Sequence, residues 1–439
     1  MALPAVLLTV FLMLLFSSLK GIPILYPLLA GLVPVGLLAL RGGTGLRALG
    51  LMIISGVRRT SRIYEITLLV GGSAALWMAC GTVPYLILHG LRVITPAYFV
   101  FSVFLITSLL ALAIGSAFGT TGIIGVVFMV MARAGGVDPL LTAGAVLTAA
   151  YFCERSTPLS SCANLVSVIS GADLYGYLRG LFLDTLVPLG VTGGLYLYFS
   201  LNNPLTASNL DVPGVLETLF TFSPLVLLPA AAVMVCVALR LDVRLTLGLS
   251  ILAAAAVAVL QQQMTPLETF RTLLTGYVPA LQTPLAENLR NSGLAGMIRP
   301  VLVIAVASAY SGIFEGTGML KPLETFVAAL VKRFGRFSGA LVTGVVSACF
   351  GCSQTFAIIS THQFLSPYYE KTASGREQLA RDIGNAAVLT PALIPWNVAF
   401  TIPAAILAVD ARCLPYAFFL YLAPLYMWGR SIVKTGRKG

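Results

Sequence analysis

The residues of this chain that can do chemistry are few, and many stand where a long apolar run is interrupted. Gly115-Ser-Ala-Phe-Gly119-Thr120-Thr121-Gly122 places three glycines and three hydroxyls inside one such run. Thr157-Pro158-Leu-Ser160-Ser161-Cys-Ala-Asn164 cuts another. Glycine's flexibility and proline's missing donor oppose a continuous helix at both places. A helix broken there exposes N–H groups and partial positive charge at its start, and carbonyls at its end. With hydroxyl and amide side chains, such ends replace the hydration shell of a small cation or grip a carboxylate. Thr120, Thr121, Ser160, Ser161 and Asn164 are therefore candidate ligands. The plainer fate of each is a hydrogen bond back to its own helix.

The same elements recur after residue 300. Glu315-Gly316-Thr317-Gly318 matches Cys80-Gly81-Thr82, and Cys349-Phe350-Gly351-Cys352-Ser353-Gln354-Thr355 matches Ala117-Phe118-Gly119-Thr120-Thr121. Thr390-Pro391-Ala-Leu-Ile-Pro395-Trp396-Asn397 answers the Thr157–Asn164 segment. Gly119 to Pro158 is 39 residues and Gly351 to Pro391 is 40. This order and spacing predict an internal repeat with discontinuous helices in corresponding positions and a binding site at the repeat interface. Ser353, Gln354, Thr355, Thr390 and Asn397 are the candidates of the second half. The divide falls in the polar stretch 201–217, which contains Asn202, Asn203, Pro204, Ser208 and Asn209, giving repeats over 1–200 and 218–439.

Ionisable groups inside a membrane are functional candidates by default. Glu154 and Arg155 follow an apolar run directly. Either they share a cavity, with Glu154 accepting a proton or cation and Arg155 as a proton or anion partner, or they pair at the membrane surface where a hairpin turns. Glu315 stands in a similar setting. Asp184 and Arg179 read as interfacial, Arg376, Arg381 and Asp382 as parts of a solvated loop 367–382, and His89 and His362 as interfacial ends of apolar runs.

The elements that must position these groups follow from composition. Of 439 residues, 58% are hydrophobic and only 10% charged, against about 25% charged in a soluble domain. Lipid must therefore be the solvent over most of the length, and long continuous apolar runs select helices over barrel strands. The fold class is all-α, a polytopic membrane bundle of about ten to twelve crossings. Candidate spans are 2–19, 21–40, 66–88, 97–115, 175–200, 221–239, 244–261, 298–314, 338–350 and 413–429, while 119–132, 139–152, 355–366 and 383–409 are too short or interrupted to cross alone. Residues 1–19 lack a basic n-region and a small-residue cleavage site, so they read as a first transmembrane helix.

The net charge of +11 comes from short clusters between apolar runs: Arg58, Arg59 and Arg62; Lys332, Arg333 and Arg336; Lys434, Arg437 and Lys438. This is the pattern of cytoplasmic loops and tails, not a nucleic-acid surface. Seven cysteines in apolar settings give no disulfide framework, and Cys349-x-x-Cys352 lacks the second pair that zinc or redox work needs. There is no nucleophile elbow, P-loop or haem or flavin signature, so neither an enzyme nor an ATP-driven pump is expected. No metal or cofactor is expected beyond a transported Na⁺ or H⁺. The bilayer and a small ion or solute are the partners, and the class is secondary active transport.

At these motifs the chain resembles the NhaC-type sodium/proton antiporter family. The likeness spans Trp77–Asp173 and about Gly312–Trp428, in GTVPYLILHGL (81–91), GTTGIIGV (119–126), LTAGAVLTAAYF (141–152), PLSSCANL (158–165), LIPWN (393–397) and LPYAFF (414–419). It implies inverted repeats, re-entrant hairpins, alternating access and a homodimer in the plasma membrane. Glu154 matches the first acid of the family's first hairpin, whereas Ser161, Ser353 and Asn385 stand where the family usually has Asp, and Glu315 keeps its counterpart. A carboxylate can bind either Na⁺ or a proton, while hydroxyls and amides ligate Na⁺ but carry no proton near neutral pH. The first expectation is thus a Na⁺/H⁺ antiporter working by alternating access. The alternative is an ion-coupled carrier of small organic anions or amino acids, as in members that exchange malate and lactate.

Overall fold

The computed structural model describes residues 2–205, 212–239, 241–279 and 290–436, and no strand occurs among them. Ser208, Asn209, Arg437 and Lys438 lie outside the described residues. The chain opens with α1 (Ala2–Leu19), α2 (Leu25–Arg41) and α3 (Leu46–Arg59). Next come α4 (Ser61–Ala79), α5 (Thr82–Val93), α6 (Phe99–Ile114) and α7 (Ala117–Thr120). A π-helical turn, Thr121–Gly125, carries α7 into α8 (Val126–Ala134). Then follow α9 (Pro139–Ser156), α10 (Ser161–Ser170) and the long α11 (Leu174–Asn202). Beyond it lie α12 (Val212–Leu219), α13 (Leu228–Ala238), α14 (Val243–Leu260) and α15 (Pro266–Thr275). The last seven are α16 (Ile298–Thr317), α17 (Leu323–Phe334), α18 (Arg336–Gly351), α19 (Gln354–Leu365), α20 (Ala373–Asn385), α21 (Val398–Leu407) and α22 (Phe418–Gly436).

Among the described residues five helices are long and apolar enough to cross a membrane, or seven if each of two bent pairs is one span. That is fewer than the ten to twelve expected, because several apolar runs fold as shorter helices: Ala5–Ser18, Leu25–Arg41, Pro224–Ala238 and Arg336–Gly351. The bent pairs are Ser61–Ala79 with Thr82–Gly90, at 70°, and Ala373–Leu393 with Val398–Leu407, at 51°. Two expectations are corrected. The stretch 119–132 belongs to a full span, Ala117–Ala134, because its glycines sit within helix and a π turn. The supposed loop 367–382 is largely helix α20, with Asp382 buried.

The breaks are set by local backbone chemistry. α6 stops at Gly115, left-handed with φ 72°, followed by extended Ser116, whose hydroxyl caps the Gly119 N–H. A Cβ at Gly115 would stand 2.7 Å from the Leu159 carbonyl carbon, so both torsion and space select glycine. α18 stops the same way at left-handed Cys352, φ 51°, followed by extended Ser353 capping Phe356 N–H. Gly81 and Gly318 form another left-handed pair, and Ser160 and Asn397 cap α10 and α21. In each of these pairs the second residue lies 237 positions after the first. The sequence pairing of Phe118-Gly119 with Phe350-Gly351 is five positions out of this register, in which Phe118 and Gly119 answer Thr355 and Phe356.

Two hydrophobic clusters fill the bundle, and each draws on residues from both sides of the 201–217 stretch. Helix α3 packs closely on α16 at Gly56 and Gly312. A Cβ at Gly312 would be 3.1 Å from the Gly56 Cα and closer still to the Met52 carbonyl, so only glycine permits it. Gly312→Val should lower stability by about 1–3 kcal/mol through overpacking, read as a reduced thermal midpoint in detergent. Gly50→Ala, where no atom lies within 4 Å, should leave the midpoint essentially unchanged.

Candidate functional site

Glu154 sits in the last turn of α9, a helix started by Pro139 and capped by Asp138, whose carboxylate accepts from Leu140 N–H at 2.8 Å. The apolar run behind it buries α9 on nearly every face. Glu154 is itself buried, and its carboxyl lies beside the Gln354 side chain, the Cys162 thiol and the Ala117 backbone amide. Those three residues belong to the first turns of α19, α10 and α7. Three helix starts therefore converge on one carboxyl group, each presenting its partial positive end. One oxygen, Oε2, has no hydrogen-bond partner among the described residues.

Successive helix positions diverge by about 100°, so Arg155 faces elsewhere. Its guanidinium donates to Asn385 Oδ1 and to Thr185 Oγ1 and lies 4.9 Å over the Phe419 ring. It is fully buried, and its bonds go to Asn385 and Thr185 and not to Glu154. Asn385 in turn reaches Asp184 Oδ2 at 3.3 Å. Asp184 also accepts two bonds from Arg381, at 3.0 and 2.7 Å, and one from Arg430 at 3.4 Å. Asp184 is enclosed by protein, with only 1% of it exposed. Asp382 is not solvated either, because Tyr369 Oη donates to it at 2.5 Å and Gln378 Nε2 at 2.8 Å. His89 and Arg376 are exposed as expected, while His362 is half-buried within α19.

Two cavities flank the breaks. One of about 550 Å³ is lined by Arg59, Glu315, Ser308, Ser311, Ser353 and Thr355 among others. Arg59 is ion-paired with Glu315 across α3 and α16. Another of about 360 Å³ lies against Gly115, Ser116 and Ser161.

The other predicted ligands are engaged with backbone. Thr120 donates to Ser116 O at 2.8 Å, Thr121 to Ala117 O at 2.7 Å and Thr390 to Ala386 O at 3.0 Å. Ser160 accepts from Cys162 and Ala163 N–H, and exposed Asn164 donates to Pro158 and Ser160 carbonyls. Asn397 caps α21 and donates to Ala348 O at 2.8 Å. Gln354 donates to Val388 O at 2.8 Å. The fold thus brings Glu154 to Gln354 in one place, and Glu315, Ser353 and Thr355 together in another. Sequence reasoning missed Arg59 as the partner of Glu315, and missed the Asp184–Arg381–Arg430 cluster. An acid in the middle of the 29-residue α11 was the available signal for the latter. Among the described residues no three His, Cys, Asp or Glu side chains cluster as a metal site.

The profile of the Na⁺/H⁺ antiporter family matches residues 5–163 and 149–432. The chain belongs to the Na⁺/H⁺ antiporter family. Within it, the chain is similar to the Na⁺/H⁺ antiporter NhaC of Alkalihalophilus pseudofirmus, 29% identical over 383 residues, covering 85% of this chain and 82% of that one. It is 26% identical over 424 residues to the malate-2H⁺/Na⁺-lactate antiporter of Bacillus subtilis, covering 93% and 89%. It is 28% identical over 429 residues to the arginine/ornithine antiporter of Halobacterium salinarum, covering 93% and 86%. The relatives are transporters, and family membership together with the apolar helices makes this an integral membrane protein.

Removing the one acid that serves Arg381, Arg430 and Asn385 leaves cationic groups without a counter-charge. Asp184→Asn should cost on the order of 3 kcal/mol, read as a lowered thermal midpoint of the purified protein.

Proposed function

We propose that this protein is a secondary active transporter of the cytoplasmic membrane that exchanges Na⁺ for protons by alternating access, with Glu154 as the group that both ions use. The observation that carries this reading is the setting of Glu154: buried and, among the described residues, with one oxygen lacking a partner and no cationic side chain bonded to it. An ionised carboxylate in such a place is costly unless paired. It therefore holds a proton or a cation, and these exclude each other, which is what an exchanger requires. We assign Gln354, beside Glu154, and the cavity-lining Ser353 and Ser161 to the cation path, where hydroxyls and amides replace water. Arg155 is excluded as the neutralising group, because its terminal N–H groups are directed to Asn385 and Thr185. The 237-residue interval between breaks supports two repeats facing each other across this point. We include the homodimer in the proposal, and light scattering on the purified protein tests it.

A second reading, an exchanger of small organic anions or amino acids, draws on one feature. The cavity of about 550 Å³ has more room than a bare cation needs, and Arg59, Glu315 and Lys321 give it charges of both signs. Relatives named for malate/lactate and arginine/ornithine exchange keep this chemistry within the family.

Proteoliposomes loaded acid inside, with a pH-sensitive dye, separate the two. Adding Na⁺ outside should collapse the gradient with wild type and not with Glu154→Gln, while Glu154→Asp should retain part of the response. If folded wild type answers none of Na⁺, K⁺ or Li⁺ but exchanges labelled malate or arginine, the organic-solute reading replaces the first.

A further inference from the structure

We propose that a third cavity, separate from the ion path, binds the phosphate head group of an anionic phospholipid. It measures about 790 Å³ and is lined by Arg336, Arg381, Arg430, Asp184, Asp382 and Gln378 among others. Glu154 and the hydroxyls of the proposed ion path are absent from its walls.

Its charges do not balance internally. Both acids are already served: Asp184 by Arg381, Arg430 and Asn385, and Asp382 by Tyr369 and Gln378. Arg336 has no hydrogen bond or ion pair among the described residues, and its guanidinium is held 5.0 Å over the Tyr369 ring. Arg430 spends one nitrogen on Asp184 at 3.4 Å and lies 5.6 Å over its own helix's Tyr426. Two guanidinium groups, stacked in place on aromatic rings, thus keep N–H donors for an anion. Planar forks of this kind suit phosphate oxygens.

Position selects a lipid as the source of the phosphate. Arg336 starts α18 at the Gly335 turn, one residue after α17 ends, and exposed Lys332 and Arg333 occupy the last turn of α17. Such clusters mark the cytoplasmic edge of a membrane protein, where anionic head groups are drawn to basic pockets between helices. Beside the turn, Trp428 is exposed and donates Nε1–H to Ser338 Oγ at 3.0 Å, which pins it at the seam of α18 and α22. Phe334, Leu425 and Ile432 are exposed apolar neighbours along α17 and α22. An acyl chain covers that strip while its head group enters the cavity. A free phosphate ion would leave the strip bare.

The test is native mass spectrometry of the detergent-purified full chain, titrated with phosphatidylglycerol or phosphatidylcholine. Phosphatidylglycerol should be retained over phosphatidylcholine. Arg336→Gln should weaken that retention roughly fivefold, at about 1 kcal/mol per basic side chain near the surface. Arg336→Lys should keep most of it, and Arg47→Gln, exposed near the start of α3, should change nothing. Equal retention of phosphatidylcholine, or an Arg336→Gln variant that binds like wild type, would overturn the proposal. So would displacement of the lipid by an equal concentration of inorganic phosphate, which would make this a site for soluble anions. No transport is measured, so failure here and failure of the antiport reading remain distinct.

Discussion

A carboxyl group enclosed by apolar helices, with no cationic side chain bonded to it among the described residues, is the constraint on which the rest of this protein depends. In lipid, a helix is the only local structure that satisfies its own backbone, so interrupting one exposes N–H and carbonyl groups that must be answered nearby. Here α7, α10 and α19 all begin around Glu154. Their free N–H ends and the acid answer each other electrostatically, and neither arrangement is comfortable without the other. The convergence also explains why the breaks carry capping hydroxyls: Ser116, Ser160 and Ser353 each satisfy a first-turn N–H that would otherwise stand unpaired.

Arg155 shows how a single step along a helix separates two roles. Its neighbour faces the helix starts, while the arginine itself enters a chain of polar contacts through Asn385 to Asp184 and on to Arg381 and Arg430. A buried arginine needs such a network, because its charge is expensive to strand. The Asn385 amide bonds both partners at once: Oδ1 accepts from Arg155, and Nδ2 donates to Asp184. A carboxylate there would repel Asp184. Asn385 thus belongs to the arginine network and not to the surroundings of Glu154.

The helical class, the membrane setting and the family were legible because apolar composition, run length and motif order are properties of the chain itself. Glu154 was legible for the same reason, as an acid closing an apolar run. The roles of individual hydroxyls were not. Thr120, Thr121 and Thr390 have the same composition-level signal as Ser161 and Ser353, yet the former bond back to carbonyls four residues earlier while the latter line cavities. A side chain's rotamer and the helix end beside it decide between these fates, and neither is written in residue type.

The sequence by itself determined that this chain lives in lipid as interrupted helices, and where acids fall along them. Only the tertiary structure decided which acids are alone. Glu315, half-exposed, acquires Arg59 from 256 positions away, and Asp184 acquires Arg381 from 197 away, whereas Glu154 acquires no cation among the described residues. The reason is geometric: in a low-dielectric bundle the meaning of a charge is set by what lies within a few ångströms. Those neighbours come from helices that are distant in the chain.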